Sequence, residues 1–360
     1  MSSRISGPAL RVAKLLGFAL VLHFFVLPQI GGARDALSTI GSVSPFKLSL
    51  VVLLEGIAFL VYARLTQMLL PQEYRPGIWT AFGSVLASTG VNHVVPGGAA
   101  TTAAVNYRLL GHAGVPRSEL RFALGTQAIG SAVVLNGLLW LALLVAIPAR
   151  GFDPLFGTAA VIGVVLIGGF SLVIAAMLRG RDTFAYRVAH LLGRIPKVDE
   201  DRVRASLLNV ANQIKTLAED PKRLRMVIVL AAANWLFDAA ALWVTLWAFG
   251  TRPSVVGVLV AHGLANLLAA VPISPGGLGV IEAVLIPTLV GFGTPASVAS
   301  VGVVVYRLAQ FWLPIPVGAL AYAILERPAL GSARSFFSEL KKHMPEHHSV
   351  QPATIANPDE

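Results

Sequence analysis

Residues 122–148, FALGTQAIGSAVVLNGLLWLALLVAIP, contain no charged side chain. A helix needs about 20 apolar residues to cross a hydrocarbon layer of about 30 Å, so this stretch is long enough to span a bilayer. Comparable blocks recur along the chain. They predict long helices near 11–31, 47–70, 78–95, 117–147, 155–178, 224–249, 254–273 and 296–325. Only 13% of the 360 residues are charged and 55% are hydrophobic, whereas soluble domains carry about 25% charged residues. Strands of an outer-membrane barrel would alternate apolar and polar residues over about 10 positions. The blocks do not alternate, so the expected class is an all-α polytopic membrane protein. The first block follows a basic start (Arg4, Arg11, Lys14) but lacks a small-residue cleavage site, so it reads as a retained helix.

Two short motifs interrupt this pattern. VVPGGAA at 94–100 and VPISPGGLGVIE at 271–282 each place proline and paired glycine inside membrane-apolar sequence. Proline removes a backbone donor and glycine loosens the helix, so the freed backbone groups must face protein or a cavity rather than lipid. Short segments follow each break, near 98–112 and 278–292. A shift of 179 residues superimposes Pro96-Gly97-Gly98 on Pro275-Gly276-Gly277 and Gly114-Val115-Pro116 on Gly293-Thr294-Pro295. It also superimposes three predicted helices, which indicates an internal repeat with copies at about 47–147 and 226–326. Counting the short segment as a crossing puts five between the starts of the copies, an odd number that inverts the second, the architecture of many secondary transporters; without it the count is even and the copies are parallel.

The remainder is one transmembrane domain over 1–330 and a tail at 331–360. The connection at 179–223 is polar, and Val203, Leu207, Val210, Ile214 and Leu217 fall on one face of an amphipathic surface helix. Residues 179–225 hold eleven Lys/Arg against six Asp/Glu. With the basic N-terminus and Lys341–Lys342, they ask for three regions on the cytoplasmic side. Counting eight long spans alone fails this condition; letting each short segment also cross satisfies it. Both termini are then cytoplasmic. The net charge of +10 belongs to such loops beside anionic lipid, so membrane lipids rather than nucleic acid are the expected partners.

Ionisable groups at membrane depth cost about 2.5–3.5 kcal/mol each on insertion scales, which makes each a functional candidate. The first copy offers Glu55, Asn92, His93, Asn106, Tyr107, Arg108 and His112. The second offers Asn234, Asp238, His262, Asn266, Glu282, Tyr306, Arg307 and Gln310. Glu282 sits in the first turn of the segment after Pro275-Gly276-Gly277, where a helix N-terminus favours an anion. Arg108 and Arg307 either hold a lipid phosphate or pair with Glu282 or Asp238 within the bundle. No cysteine, P-loop or H-E-x-x-H motif is present, and no cofactor is expected.

The stretch at 272–322, with Pro-Gly-Gly-x-Gly-x-x-Glu, Tyr306-Arg307 and Trp312-Leu313-Pro314, resembles the flippase-like membrane region of the lysylphosphatidylglycerol synthase family. PGGAATTAAVNYRLLGHAGVP at 96–116 resembles that family's earlier segment. The resemblance implies a bacterial inner-membrane protein that handles lipids. By motif match it carries over Pro275, Gly276, Gly277, Gly279, Glu282, Tyr306 and Arg307, and Pro96, Gly97, Gly98 and Arg108. The aminoacyl-transferase domain of the full synthases has no counterpart in these 360 residues, so lipid aminoacylation is not expected. Two readings follow. One is a translocator in which Arg108 or Arg307 binds the headgroup and Glu282 and Asp238 supply countercharge or proton coupling. The other is a non-catalytic accessory subunit presenting lipid to a separate transferase. An intramembrane enzyme using Glu282 and Asp238 lacks a positioned nucleophile. Oligomeric state is not encoded in any of these features.

Overall fold

A computed structural model describes residues 44–95, 98–150, 185–190, 220–269 and 274–326, with scattered helical positions between 200 and 219. The helices expected at 11–31 and 155–178, the apolar face of the surface helix and the tail lie outside the described residues. So do Pro96 and Gly97.

Eight helices carry the described fold. They are α1 (Pro45–Leu69), α2 (Ile78–Val94), α3 (Gly98–His112), α4 (Arg117–Arg150), α5 (Pro221–Ala248), α6 (Val255–Ala269), α7 (Val280–Gly291) and α8 (Ala296–Arg307). The last continues through a π turn, Leu308–Trp312, so that the whole helix runs Ala296–Glu326. Pro45 and Pro221 occupy first-turn positions that need no donor, and Asp220 Oδ1 accepts the Arg223 N–H at 3.0 Å. Among the described residues, α1, α4, α5 and α8 are long and apolar enough to cross a membrane.

Helices α1 and α5 form the central pair and run antiparallel. Lys47 Nζ lies 3.4 Å from Trp247 O, Asn234 Nδ2 donates to Ala58 O at 3.1 Å, and Arg223 Nε donates to Met68 O at 2.9 Å. These contacts join the start of α1 to the end of α5, the middles to each other, and the end of α1 to the start of α5. The 179-residue shift places α1 on α5, so the equivalent helices point in opposite directions. Contacts between the halves are exchanged in the same sense. Leu139, Ala142, Leu143 and Ala146 of α4 pack on Val260 and Leu264 of α6, while α8 lies on α2 with Gly318 against Leu86 and Gly90.

Helices α2 and α6, expected as full spans, are instead legs of hairpins. Ser84 and Ser88 on α2 both bond Asn106 on α3, and Gly257 on α6 faces Phe292 just beyond α7. Each hairpin therefore returns to the side it came from, with Pro275-Gly276-Gly277 at the tip of the second. At about 1.5 Å per residue these helices of 12–17 residues reach about 18–26 Å. The two tips meet. His93 stacks on Phe311, ring centroids 4.3 Å apart, and Phe311 is the central residue of the 31-residue α8 helix. A methyl placed on Gly276 would lie 2.7 Å from His93 and 2.6 Å from Phe311.

Candidate functional site

The break before α7 is built by glycine. Gly276, Gly277 and Gly279 have φ of 53°, 69° and 83°, a region that a Cβ disfavours. Three such residues in four positions shape a 3₁₀ turn in which Gly277 N–H donates to Ser274 O and Leu278 N–H to Pro275 O, both at 3.2 Å, and Ser274 Oγ closes the loop by donating to Leu278 O at 2.7 Å. Glu282 then caps α7 by accepting the Gly279 N–H at 2.7 Å through Oε2.

The other oxygen of Glu282 accepts from Arg307 Nε at 2.7 Å. Arg307 also donates to Gln310 Oε1 at 2.7 Å and to Gly276 O at 3.3 Å, and its guanidinium lies over the Phe311 ring. Every face of this side chain is used, and its side chain is 1% exposed. Arg307 thus ties the tip of the second hairpin to α8, just where Pro314 and Pro316 remove backbone donors and the helix widens into its π turn.

A second buried cluster surrounds Asp238 on α5. Tyr306 donates its hydroxyl to Oδ1 at 2.5 Å, His262 Nε2 lies 3.1 Å from Oδ2, and Glu55 of α1 lies against the same carboxyl group. Asp238 also faces a cavity of about 430 Å³. Its walls come from both halves: Asn92, His93, Thr102, Asn106, Gln127, Ser131 and Asn136 from the first, and Asn234, Trp235, Asn266, Ser274 and Gln310 from the second. Thr102, Asn106 and Gln127 lie between the hairpin tips and the end where α1 finishes and α5 begins. Toward the opposite end a smaller apolar cavity of about 210 Å³ lies between the start of α1 and α8, lined by Leu48, Val51, Val305 and Leu313. Beside it, an apolar cluster that includes Leu242, Leu246, Ile281, Leu285, Leu289 and Val303 packs α5, α7 and α8 together.

The sequence-derived candidates therefore separate into three places. Pro275, Gly276, Gly277, Gly279, Glu282 and Arg307 form the second tip and its tether. Asp238 and Tyr306 form the carboxyl cluster at the cavity floor. Arg108 stands apart, at the far end of α3, where Nε lies 2.8 Å from Glu326 at the end of α8 and its side chain is 59% exposed. Gly98 begins α3. Gln127, Ser131 and Asn136 of α4 were not singled out in the sequence, because a search weighted toward ionisable groups passes over neutral amides in a helix rich in leucine. The available signal was their clustering inside an otherwise uncharged span.

Two antiparallel structural halves, paired hairpins whose tips meet at mid-helix, and a polar chamber between them define a helical membrane protein of the inverted-repeat kind. This chain belongs to the lysylphosphatidylglycerol synthase TM region family, whose pattern matches residues 11–318. A UPF0104 membrane protein of Methanothermobacter thermautotrophicus is 24% identical over 329 residues, covering 86% of this chain and 92% of that protein. A shorter match to a UPF0104 membrane protein of the same organism is 27% identical over 118 residues, 33% of this chain and 35% of that protein. The inner membrane protein YbhN of Escherichia coli is 28% identical over 102 residues, covering 28% of this chain and 31% of YbhN. In these shorter matches the chain spans about a third of the relative's length.

Proposed function

We propose that this protein is a non-enzymatic translocator that moves a lipid headgroup between leaflets through the chamber between its two halves. One observation carries the reading: a polar cavity walled by both halves reaches Asp238 at mid-molecule, while the core of α5, α7 and α8 toward the other end is an apolar cluster. In an inverted repeat, exchanging the conformations of the two copies closes the first chamber and frees the second, which is alternating access. The family's lipid-handling membrane region fits this role.

The end that holds the cavity is also the basic end. Arg75, Arg108, Arg117, Arg121, Lys222, Arg223 and Arg225 cluster there, against Lys47, Arg150 and Arg252 at the other. We place the basic end in the cytoplasm, with the protein in a bacterial inner membrane. Arg307 serves as the tether of the second hairpin rather than as a headgroup ligand, and Arg108 as part of a closure between α3 and α8.

The test is lipid movement in liposomes. Purified protein is reconstituted with acyl-chain-labelled lipids of several headgroups, and an impermeant quencher reports loss from the inner leaflet. Protein-dependent movement of at least one headgroup is expected. Absence of movement with every headgroup, with and without a proton gradient, would replace this reading with that of an accessory subunit presenting lipid to a transferase.

A further inference from the structure

Given a chamber that receives a headgroup, its walls define which chemistry it receives. We propose that the cavity binds a neutral, hydroxyl-rich headgroup, that of a glycosyl lipid. No lysine or arginine lines it among the described residues. Four of its amide side chains turn their NH₂ groups into the protein: Asn136 to Ala132 O at 2.9 Å, Asn234 to Ala58 O at 3.1 Å, Asn266 to His262 O at 3.0 Å and Gln127 to Tyr62 O at 3.0 Å. The Trp235 indole N–H is spent likewise, on Ser131 O at 3.0 Å. Because each nitrogen has a carbonyl neighbour, the orientation of these amides is set by the network.

What remains without a partner is dominated by acceptors. Asn92 Oδ1 and Asn136 Oδ1 are buried with no hydrogen-bond partner in the protein, and so is Ser131 Oγ. Asn136 is 8% exposed and Ser131 5%, so leaving these atoms unmatched costs the desolvation of each. A ligand that relieves them must donate. An ionised phosphate only accepts, and it would meet carbonyl oxygens and the Asp238 carboxylate with no cation to offset its charge. An ammonium group donates but needs a free countercharge at this depth. At Asp238 it would compete with Tyr306 on Oδ1 and with His262 beside Oδ2. Sugar hydroxyls donate and accept without net charge, and Trp235 offers the ring surface on which a sugar's apolar face packs. The volume of about 430 Å³ lies within the roughly 300–1,000 Å³ of small-ligand sites.

The asymmetry of the repeat supports the same assignment. The 179-residue shift takes Thr102, Asn106 and Asn136 to Ile281, Leu285 and Ile315. These three polar positions of the first half therefore have apolar counterparts in the second, so the two halves do not contribute the same wall, as expected of a recognition site rather than a channel lining common to both.

The test compares four probes in nanodiscs: monoglucosyl diacylglycerol, phosphatidic acid, phosphatidylethanolamine and lysylphosphatidylglycerol. Binding is read by competition in native mass spectrometry. The glucosyl lipid should bind at least tenfold tighter than phosphatidic acid, and Asn136→Leu and Asn92→Leu should each weaken it about tenfold. Ser131→Ala, a smaller change, should weaken it several-fold and guards against loss of fold in the leucine variants. Preference for phosphatidic acid or for either ammonium lipid overturns the assignment, as does glucosyl-lipid binding that is indifferent to all three variants. The same probes in the flux assay separate this inference from translocation itself. Glucosyl-lipid binding without movement keeps the headgroup assignment and removes translocation. Movement of another headgroup alone does the reverse.

Discussion

Arg307 shows how a membrane-depth charge can serve structure first. Its partner is Glu282, and breaking a buried pair by removing one member costs about 3–5 kcal/mol, because the other charge stays buried. Glu282→Gln should therefore lower the unfolding midpoint in detergent sharply. Glu282→Gln with Arg307→Met should recover part of that loss, a coupling that a double-mutant cycle measures. Loss of lipid movement in Glu282→Gln alone would thus report on the hairpin tether as much as on the substrate. Tyr306→Phe should cost about 1–3 kcal/mol by leaving an Asp238 oxygen unmatched, read by the same unfolding curve. At this scale the sequence was legible wherever charge marked a residue: Glu282, Arg307 and Asp238 stand out in apolar helices. Whether Arg307 met Glu282 or Asp238 depended on the turn geometry at Gly276–Gly279, which no spacing rule supplies. Asn136 and Ser131 were invisible for a different reason. Neutral polar residues are tolerated in membrane helices through bonds to the preceding turn, as Asn136 makes to Ala132, so their composition does not distinguish support from recognition.

The elements follow their sequence signals closely in position and less so in path. The structure starts α1, α2, α3 and α4 at 45, 78, 98 and 117, and ends α8 at 326, within two residues of the apolar-block boundaries. The path of α2–α3 and α6–α7 is where sequence reasoning fell short. Each segment was weighed as a separate crossing, yet a hairpin that stops midway contributes none. With single crossings at the stretches 11–31 and 155–178, the returning hairpins also bring all three basic regions to one side. The charge rule therefore could not distinguish the two arrangements. What holds the first hairpin against α8 is close backbone approach. A methyl on Gly318 would stand 2.3 Å from Leu86 O, and one on Gly90 would stand 2.7 Å from Pro314 O. Small residues at such crossings let membrane helices pack. Gly318→Val should push α2 from α8 and destabilise the protein by about 1–3 kcal/mol or more, whereas Gly125→Ala, with nothing within 4 Å of the added carbon, should be near neutral. Thermal unfolding in detergent compares the two.

For the molecule as a whole, the halves are joined along the α1–α5 seam and linked at the basic end by Arg108 and Glu326. If alternation requires that end to close and reopen, Arg108→Cys with Glu326→Cys, bridged by a short bifunctional thiol reagent, should arrest lipid movement. Each single variant should leave movement largely intact. The chain contains no cysteine, so the background is clean. The same property tests orientation. Arg121→Cys should react with an impermeant maleimide only from the cytoplasmic face, and Arg252→Cys only from the other. The contact between His93, Phe311 and Gly276 has an electrical consequence. When solvent fills the chamber on the cytoplasmic side, the membrane voltage falls mainly across the packed half beyond this contact rather than across the whole bilayer thickness. A charge carried over that stretch would exchange about 2.3 kcal/mol per 100 mV with the field, and an uncharged sugar would exchange nothing. Movement of a glycosyl lipid on its own should then be indifferent to membrane potential, a null that a potassium diffusion potential across the liposomes can register directly.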